Sequence, residues 1–206
     1  VHVCTDSEKI QNACSKLSIP CILTGDHHSN GTERCGEAAN RLGLEDKDVV
    51  IDIQGDEPLI NPVQIDIVCR AARNFNEDII LPHLEITEAN VNIVKVVSSD
   101  LNSKVLYLSR ADIPHNFRGD SSLKKHLSII AFTMSALKKY CATKPTPLEI
   151  LEGIELLRAL ELGLKVMTIK LEGESRAVDI MDDLLYVRDI MRNDHWYQVY
   201  KNITFQ

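Results

Sequence analysis

The segment Val49–Ile53 (VVIDI) constrains the fold most strongly, because it is almost continuously apolar and yet too short for a buried helix. A strand of this composition is typical of a sheet that is covered on both faces. Before it, two shorter apolar segments, at 1–5 and 21–24, alternate with helical patterns such as the apolar stripe at 10–17. This alternation predicts an α/β fold, with a parallel sheet between layers of helices.

Residues 78–133 follow a different pattern, in which strands succeed one another with little helix between them. These strands are predicted at 79–81, 94–97, 105–108 and 126–133. Helices are predicted beyond them at 135–142, 147–162 and 181–192, with a strand at 166–170. A run of strands inside an alternating chain indicates a mixed sheet flanked by helices. We therefore predict a single domain over residues 1–206, with a β-rich sub-lobe at about 78–133.

Charge and hydropathy argue against two classes of partner. The 23 Lys and Arg residues are outnumbered by 30 Asp and Glu residues, and a net charge of −7 does not favour binding to a nucleic-acid backbone. No apolar run approaches the roughly 18–20 residues that cross a bilayer, and no secretory signal is visible. The six cysteines include no CxxC pair and are interpreted as reduced thiols. These features predict a cytoplasmic protein that binds neither nucleic acid nor membrane.

The loop after Ile53 is the first candidate site, since ligands of open α/β sheets bind beyond the carboxyl ends of the strands. Asp56 lies there beside Gly55, which allows close approach of the backbone, and is followed by Pro58, which stiffens the exit. A carboxylate at this position suits Mg²⁺, which usually pairs one or two carboxylates with substrate phosphates. The alternative is that Asp56 only caps a turn.

A second acidic cluster follows the strand predicted at 166–170 and consists of Asp179, Asp182 and Asp183. Asp179 has the residue type that is favoured at the N-cap of a helix. It could also meet Asp56 across the crevice and complete a metal site. The residues alone leave both interpretations open.

Hydrogen-bonding groups that suit a nucleotide are concentrated in the polar loop at 28–34. A helix that starts near Thr32 would also present the positive end of its dipole to an anion. The alternative is a solvated capping loop.

Arg110 ends one predicted strand and His126 opens another, so both could face the crevice, where Arg110 could pair with a ligand carboxylate. Either could equally be an ion-pair partner at the end of a strand.

A charged stripe on the helix predicted at 147–162 is interpreted as a solvated face, which is the usual role of charges at this spacing. Its members are Glu149, Glu152, Glu155 and Arg158.

Eight segments of the chain, taken together, resemble the 3-deoxy-manno-octulosonate (KDO) cytidylyltransferases, also called CMP-KDO synthetases. They follow in the order and spacing of that family and cover nearly the whole chain to about Asn193. The segments read TDSEKI, HSNGTER, QGDEPLI, NIVKVV, LYLSRADIP, KHLSIIAF, PTPLEILEGIELLRAL and AVDIMDDL.

The resemblance implies a Rossmann-like, GT-A-like nucleotidyltransferase fold and a reaction. CTP binds with Mg²⁺, the anomeric hydroxyl of the sugar acid attacks the α-phosphorus, and pyrophosphate leaves, giving CMP-KDO for lipopolysaccharide or related polysaccharide synthesis. Asp56 and Asp179 are implied as the catalytic magnesium carboxylates. The implied nucleotide-binding residues are His28, Asn30, Gly31, Thr32, Arg34 and Gln54. The implied sugar-binding residues are Arg110, His126 and Glu152. The family is typically homodimeric, through its β-rich segment.

The chain also departs from the family pattern. The family opens with a strand and a loop of the form IPARxxSxRxPGKPL, whose Arg and Lys grip the triphosphate. This segment has no counterpart before Val1, and we expect the given chain to be incomplete at its N-terminus. On the sugar side, Leu156 replaces a Gln, and Ile130 and Thr133 replace a Tyr and an Arg. Two alternatives stay open: transfer to another acceptor, such as 8-amino-KDO or a nonulosonic acid, and a non-catalytic relative that binds nucleotide.

Overall fold

The computed structural model describes residues 1–87, 90–117, 119 and 122–201. Its strands are β1 Val3–Thr5, β2 Cys21–Leu23, β3 Val49–Ile53, β4 Ile79–Ile86, β5 Lys95–Ser98, β6 Val105–Ser109, β7 Leu123–His126, β8 Ile129–Thr133 and β9 Val166–Lys170. Its helices are α1 Glu8–Lys16, α2 Gly31–Arg41, α3 Pro62–Asn74, α4 Met134–Cys141, α5 Pro147–Glu152, α6 Leu157–Glu161, α7 Met181–Asn193 and α8 His195–Tyr200.

Seven strands form one mixed sheet in the order β3-β8-β4-β7-β5-β6, with β9 paired to β4. The β4–β9 pair is parallel, and the other strand pairs described in this sheet are antiparallel. Strands β1 and β2 form a separate parallel pair. The predicted mixed α/β sheet is thus confirmed. The parallel sheet expected from the first three strands is wrong for β3, because its partner β8 enters from the β-rich segment and runs in the opposite direction.

The two faces of this sheet are covered by different helices. Along β4, Ile79 and Leu81 enter a core with α4 and α6, whereas Ile80 and Leu84 enter a second core with α3. This separation follows from the alternation of side chains along a strand. Burial of both faces explains why β3 and β8 are almost continuously apolar.

The strand predicted at 126–133 is broken into β7 and β8. The break lies at Leu127, whose N–H donates to Pro82, and at Ser128, whose carbonyl accepts from the N–H of Gln54 at 3.2 Å. Because of this break, β7 pairs with the far end of β4 and with β5, while β8 stays between β3 and β4. The break places His126 next to the loop that follows β3.

The helix predicted at 147–162 is likewise divided, into α5 and α6. Gly153 ends α5 with a φ of 63°, in the left-handed region that favours glycine. In the described part of the chain, no helix is both long and apolar enough to cross a membrane. The single domain over 1–206 and its β-rich sub-lobe stay predictions, and residues 88–89, 118, 120–121 and 202–206 lie outside the described residues.

Candidate active site

A cavity of about 970 Å³ opens beside the ends of β3, β6 and β7. Four of the predicted site residues line it: Asp56, Arg110, His126 and Asp179. They come from four separate parts of the chain, and the sheet brings them together. This is the edge at which an open α/β sheet holds its ligands.

Asp56 and Asp179 are tied together through the backbone, because the N–H of Val178 donates to the carbonyl of Asp56 at 2.8 Å. Both side chains are exposed, and neither carboxylate makes a hydrogen bond or ion pair with any described residue. The capping role considered for Asp179 falls to Asp183, whose carboxylate accepts from the N–H groups of Asp179 and Ile180 at 3.3 Å each. Two carboxylates on one cavity are a donor set that fits Mg²⁺.

The guanidinium of Arg110 is held by three backbone carbonyls and by no described carboxylate. It donates to Glu152 at 3.0 Å, to Gly153 at 3.2 Å and to Asn92 at 3.4 Å. The carbonyls fix its orientation but do not neutralise its charge. An Arg held in this way can receive an anionic group of a ligand.

The side chain of Glu152 fixes the backbone of Arg110 and the hydroxyl of Ser109. Its carboxylate accepts from the hydroxyl of Ser109 at 2.7 Å and from the N–H of Arg110 at 3.0 Å. It does not line the cavity with Arg110. The predicted contact of Glu152 with the sugar stays a prediction, whereas its contact with the end of β6 is observed.

His126 faces the cavity with a buried Nε2 that has no hydrogen-bond partner among the described residues. Burial, with a smaller effect of the neighbouring Lys125, lowers the pKa of His126 to about 4, so the imidazole is neutral at physiological pH. A neutral imidazole with an unsatisfied buried nitrogen suits a hydrogen bond to a ligand.

Lys125 also lines this cavity, and the sequence analysis did not select it. Its ammonium donates to the carbonyl of Ser175 at 2.8 Å, and burial lowers its pKa. The side chain of Ser175 in turn contacts the buried carboxylate of Glu57, which also accepts from Ser128. The available signal for Lys125 was its position next to His126, directly before the strand predicted at 126–133.

The residues predicted to bind nucleotide surround the start of α2. Asn30 caps this helix by accepting from the N–H of Glu33 at 2.9 Å. Gly31 lies against Gln54, and a Cβ at Gly31 would approach the Gln54 amide nitrogen to 3.0 Å. Gln54 also donates to Glu155 at 3.4 Å. The loop before α2 therefore meets the exit of β3, which leads on to Asp56.

The side chains of Thr32 and Arg34 are occupied by the fold. Thr32 is fully buried and donates to Asp52 at 3.0 Å. Arg34 pairs with Asp6 at 3.0 Å and donates to Thr24 at 2.7 Å. These contacts join α2 to the strands, and binding of nucleotide by either residue stays a prediction.

His28 lies apart from this group, on a second cavity of about 670 Å³. Its Nε2 is in short contact with the carboxylate of Glu37. This contact, followed by a hydrogen bond from Gly25, lowers the pKa of Glu37 to about 2. The structure therefore places His28 on a different cavity from Asp56.

The interpretation of the stripe at 149–158 as a solvated face is wrong. Arg158 is fully buried, binds both carboxylate oxygens of Glu149 at 2.6 and 2.7 Å, and reaches Glu33 at 2.7 Å. Its guanidinium also lies 4.2 Å from the ring centroid of Tyr140. The helix containing Arg158 packs onto the sheet, so these charges meet one another in the interior.

Glu155, from the same stripe, is a further residue that the sequence analysis missed. Its Oε2 is buried without a hydrogen-bond partner in the described chain. Burial, reinforced by the charge of Asp52, raises the pKa of Glu155 to about 7. Because Gln54 contacts it, this carboxyl lies beside the predicted nucleotide loop.

Comparison with known proteins gives the same family as the motifs. Residues 1–169 match the protein family described as "Cytidylyltransferase". The 3-deoxy-manno-octulosonate cytidylyltransferase of Nitratidesulfovibrio vulgaris is 35% identical over 202 residues, covering 94% of this chain and 80% of the relative. The enzyme of that name from Syntrophus aciditrophicus is 38% identical over 201 residues, covering 92% and 79%.

A solved structure agrees with these relatives. The CMP:2-keto-3-deoxy-manno-octonic acid synthetase, solved in complex with CTP, superimposes with a TM-score of 0.87 at 27% identity, covering 94% of this chain and 80% of its own. Sequence and structure therefore agree that this chain belongs to the 3-deoxy-manno-octulosonate cytidylyltransferase family.

Proposed function

We propose that this protein transfers CMP from CTP to the anomeric hydroxyl of KDO. The anomeric oxygen forms a bond to the α-phosphorus, the bond from that phosphorus to the bridging oxygen of the β-phosphate breaks, and pyrophosphate leaves. The hydroxyl proton is released to solvent. The observation that carries the proposal is the 970 Å³ cavity, which is lined by the uncompensated Arg110 and by the two unpaired carboxylates of Asp56 and Asp179.

The acidic side of the cavity is proposed to bind the triphosphate through Mg²⁺. Asp56 and Asp179 would hold the ion, which when bound supplies positive charge to the phosphates. The role of these two residues is to fix that charge beside the reacting phosphorus. Positioning and neutralisation of charge are the main demands of such transfers.

The basic side of the cavity is proposed to bind the sugar acid. Arg110 would pair with the carboxylate of the sugar, and Glu152 positions Arg110 by accepting from its N–H. The neutral His126 would accept or donate a hydrogen bond at a sugar hydroxyl. The loop 29–34 and Gln54 are proposed to contact the nucleotide, whereas His28 lies on the second cavity.

We also propose that the protein is a cytoplasmic homodimer. Support for a dimer comes from the family resemblance and from exposed apolar side chains in the β-rich segment: Val91 is 71% exposed, Leu106 55% and Phe117 89%. Light scattering coupled to size-exclusion chromatography tests this, and a mass of one chain at micromolar concentration would contradict it.

The reaction is tested by pyrophosphate release, measured on the protein expressed from its complete reading frame with CTP and Mg²⁺. KDO, 8-amino-KDO and a nonulosonic acid are compared with a reaction that lacks an acceptor. We expect release with KDO to exceed that with each of the others. A preference for another sugar acid would reassign the acceptor, and CTP binding without release under any condition would support a non-catalytic relative.

A further inference from the structure

Two histidines and a glutamate meet at the mouth of the 670 Å³ cavity, away from Asp56 and Asp179. His27, His28 and Glu37 each offer one ligand atom, and these atoms all lie within 4.8 Å of one another. The three residues line the cavity together. In the described part of the chain, this is the only group of three or more His, Cys, Asp or Glu residues with such spacing.

The local backbone holds this group in place. The N–H of Gly25 donates to Oε2 of Glu37 at 3.0 Å. A Cβ at Gly25 would lie 2.4 Å from the His27 ring and 3.5 Å from Glu37 Oε2, so only a glycine lets the ring lie this close. The two imidazole rings are 4.3 Å apart between centroids. Glu37 belongs to α2, and the histidines precede it, so a shared ligand would tie the loop to the helix.

The donor set selects a class of metal. Imidazole nitrogen with one carboxylate suits Zn²⁺ and neighbouring transition metals, whereas Mg²⁺ prefers oxygen alone. In a tetrahedral Zn²⁺ site with bond lengths of roughly 2.0–2.2 Å, any two ligand atoms lie roughly 3.3–3.6 Å apart. The widest pair here, at most 4.8 Å apart, therefore has to close by up to about 1.5 Å, which rotation of the exposed His27 ring allows. The short His28–Glu37 pair has to open to the same separation.

The arrangement also leaves room for the metal and for further ligands. His27 is exposed and the cavity lies in front of the group, so water or a solute can fill remaining coordination positions. Arg41 pairs with Oε1 of Glu37, whereas Oε2 is the oxygen that contacts His28 and would bind the metal. The Arg41 side chain is 53% exposed, so it can move away from an incoming cation.

We propose that His27, His28 and Glu37 form a binding site for a transition-metal dication such as Zn²⁺, separate from the magnesium carboxylates. The ion replaces the short contact between His28 and Glu37 and joins the loop at 25–30 to α2. The metal recognises two neutral imidazoles and one carboxylate, which are ligands it needs in deprotonated form.

The test uses Co²⁺ as a visible probe of the site at pH 7.5, without nucleotide. We expect d–d absorption that saturates at one Co²⁺ per chain. Zn²⁺ should abolish this absorption by displacing Co²⁺, and excess Mg²⁺ should leave it unchanged. His27→Ala removes an exposed ligand and should weaken Co²⁺ binding by at least the roughly 10–100-fold that loss of an outer-shell partner causes. Glu37→Gln keeps the shape and the acceptor for Gly25 and should weaken it similarly.

The matched control is His115→Ala, which removes an exposed histidine elsewhere. It should bind Co²⁺ as the wild type does. Zn²⁺ should also raise the melting temperature of the wild type and of His115→Ala but not of His27→Ala. Three results would each overturn the proposal: no Co²⁺ spectrum, an equal spectrum in His27→Ala, or equal loss in the control.

Discussion

Replacement of Arg158 by methionine removes a cation from the interior and leaves two carboxylates behind it. The guanidinium makes hydrogen bonds of 2.6 and 2.7 Å to Glu149, 2.7 Å to Glu33 and 2.9 Å to the carbonyl of Thr143. The side chains of Glu149 and Glu33 are only 10% and 15% exposed, so water cannot replace the lost partner fully. Methionine fills much of the volume, and the loss is therefore mainly electrostatic.

Loss of one partner from a buried ion pair costs about 3–5 kcal/mol. We expect Arg158→Met to lower the free energy of unfolding by about this amount at pH 7.5, measured by urea denaturation with circular dichroism. Burial alone would raise the pKa of Glu33, but hydrogen bonds from Ser29 and Arg158 lower this pKa below its ordinary value. The stability that comes from a lowered carboxyl pKa is fully present above the unfolded-state pKa of about 4.5 and is lost as the pH falls further. The difference between variant and wild type should therefore shrink as the pH falls below about 4.5.

The matched control is Arg192→Met, since Arg192 pairs with Asp189 at 3.3 Å with side chains that are 75% and 78% exposed. It should change the free energy of unfolding by no more than about 0.5 kcal/mol. If Arg158→Met also lost less than about 1 kcal/mol, the reading of Arg158 as a buried structural cation would be refuted.

Three further predictions concern the site. Asp56→Asn should abolish pyrophosphate release and leave the melting temperature unchanged. The control variant Asp66→Asn, at an exposed position of α3, should retain activity. Near-normal turnover of Asp56→Asn would show that Asp56 does not belong to the metal site. Arg110→Ala should raise the KM for the sugar acid more than that for CTP, and equal effects would argue against a sugar-side role. The pKa of Glu155, about 7, lies above its ordinary value, so between about pH 4.5 and 7 the folded state holds a proton that the unfolded state releases. The free energy of unfolding should therefore fall as the pH rises through this range. Glu155→Gln should remove that loss, and an unchanged pH profile of the free energy of unfolding would show that Glu155 titrates normally.

The boundaries of several elements were predictable because their signals are local. Val49–Ile53 and Val166–Lys170 form the predicted strands. The breaks at Leu127 and Gly153 were not predicted. The break at Leu127 accompanies a shift in the pairing register with β4, from His83–His126 to Ile80–Ala131, and this register depends on residues distant in sequence. Glycine is a usual signal for the end of a helix, and the sequence analysis did not use Gly153 as one.

The site was partly predictable for the same reason. Asp56, Arg110 and His126 were selected because each lies at or near the end of a predicted strand, and Asp179 because its acidic cluster follows the strand at 166–170. The structure places all four on one cavity. Spacing along a helix does not reveal which face is buried, so Arg158 was misread. The position of His28 on a second cavity depends on the path of the loop before α2, which no periodicity records.

The central claim, CMP transfer to KDO, is tested most directly by ³¹P NMR of a reaction that contains the protein, CTP, KDO and Mg²⁺. We expect the triphosphate signals to be replaced, in equal amounts, by pyrophosphate and by one phosphodiester signal, and the change to require KDO. Persistence of the CTP signals beside KDO, or their conversion to diphosphate and free phosphate, would contradict the account.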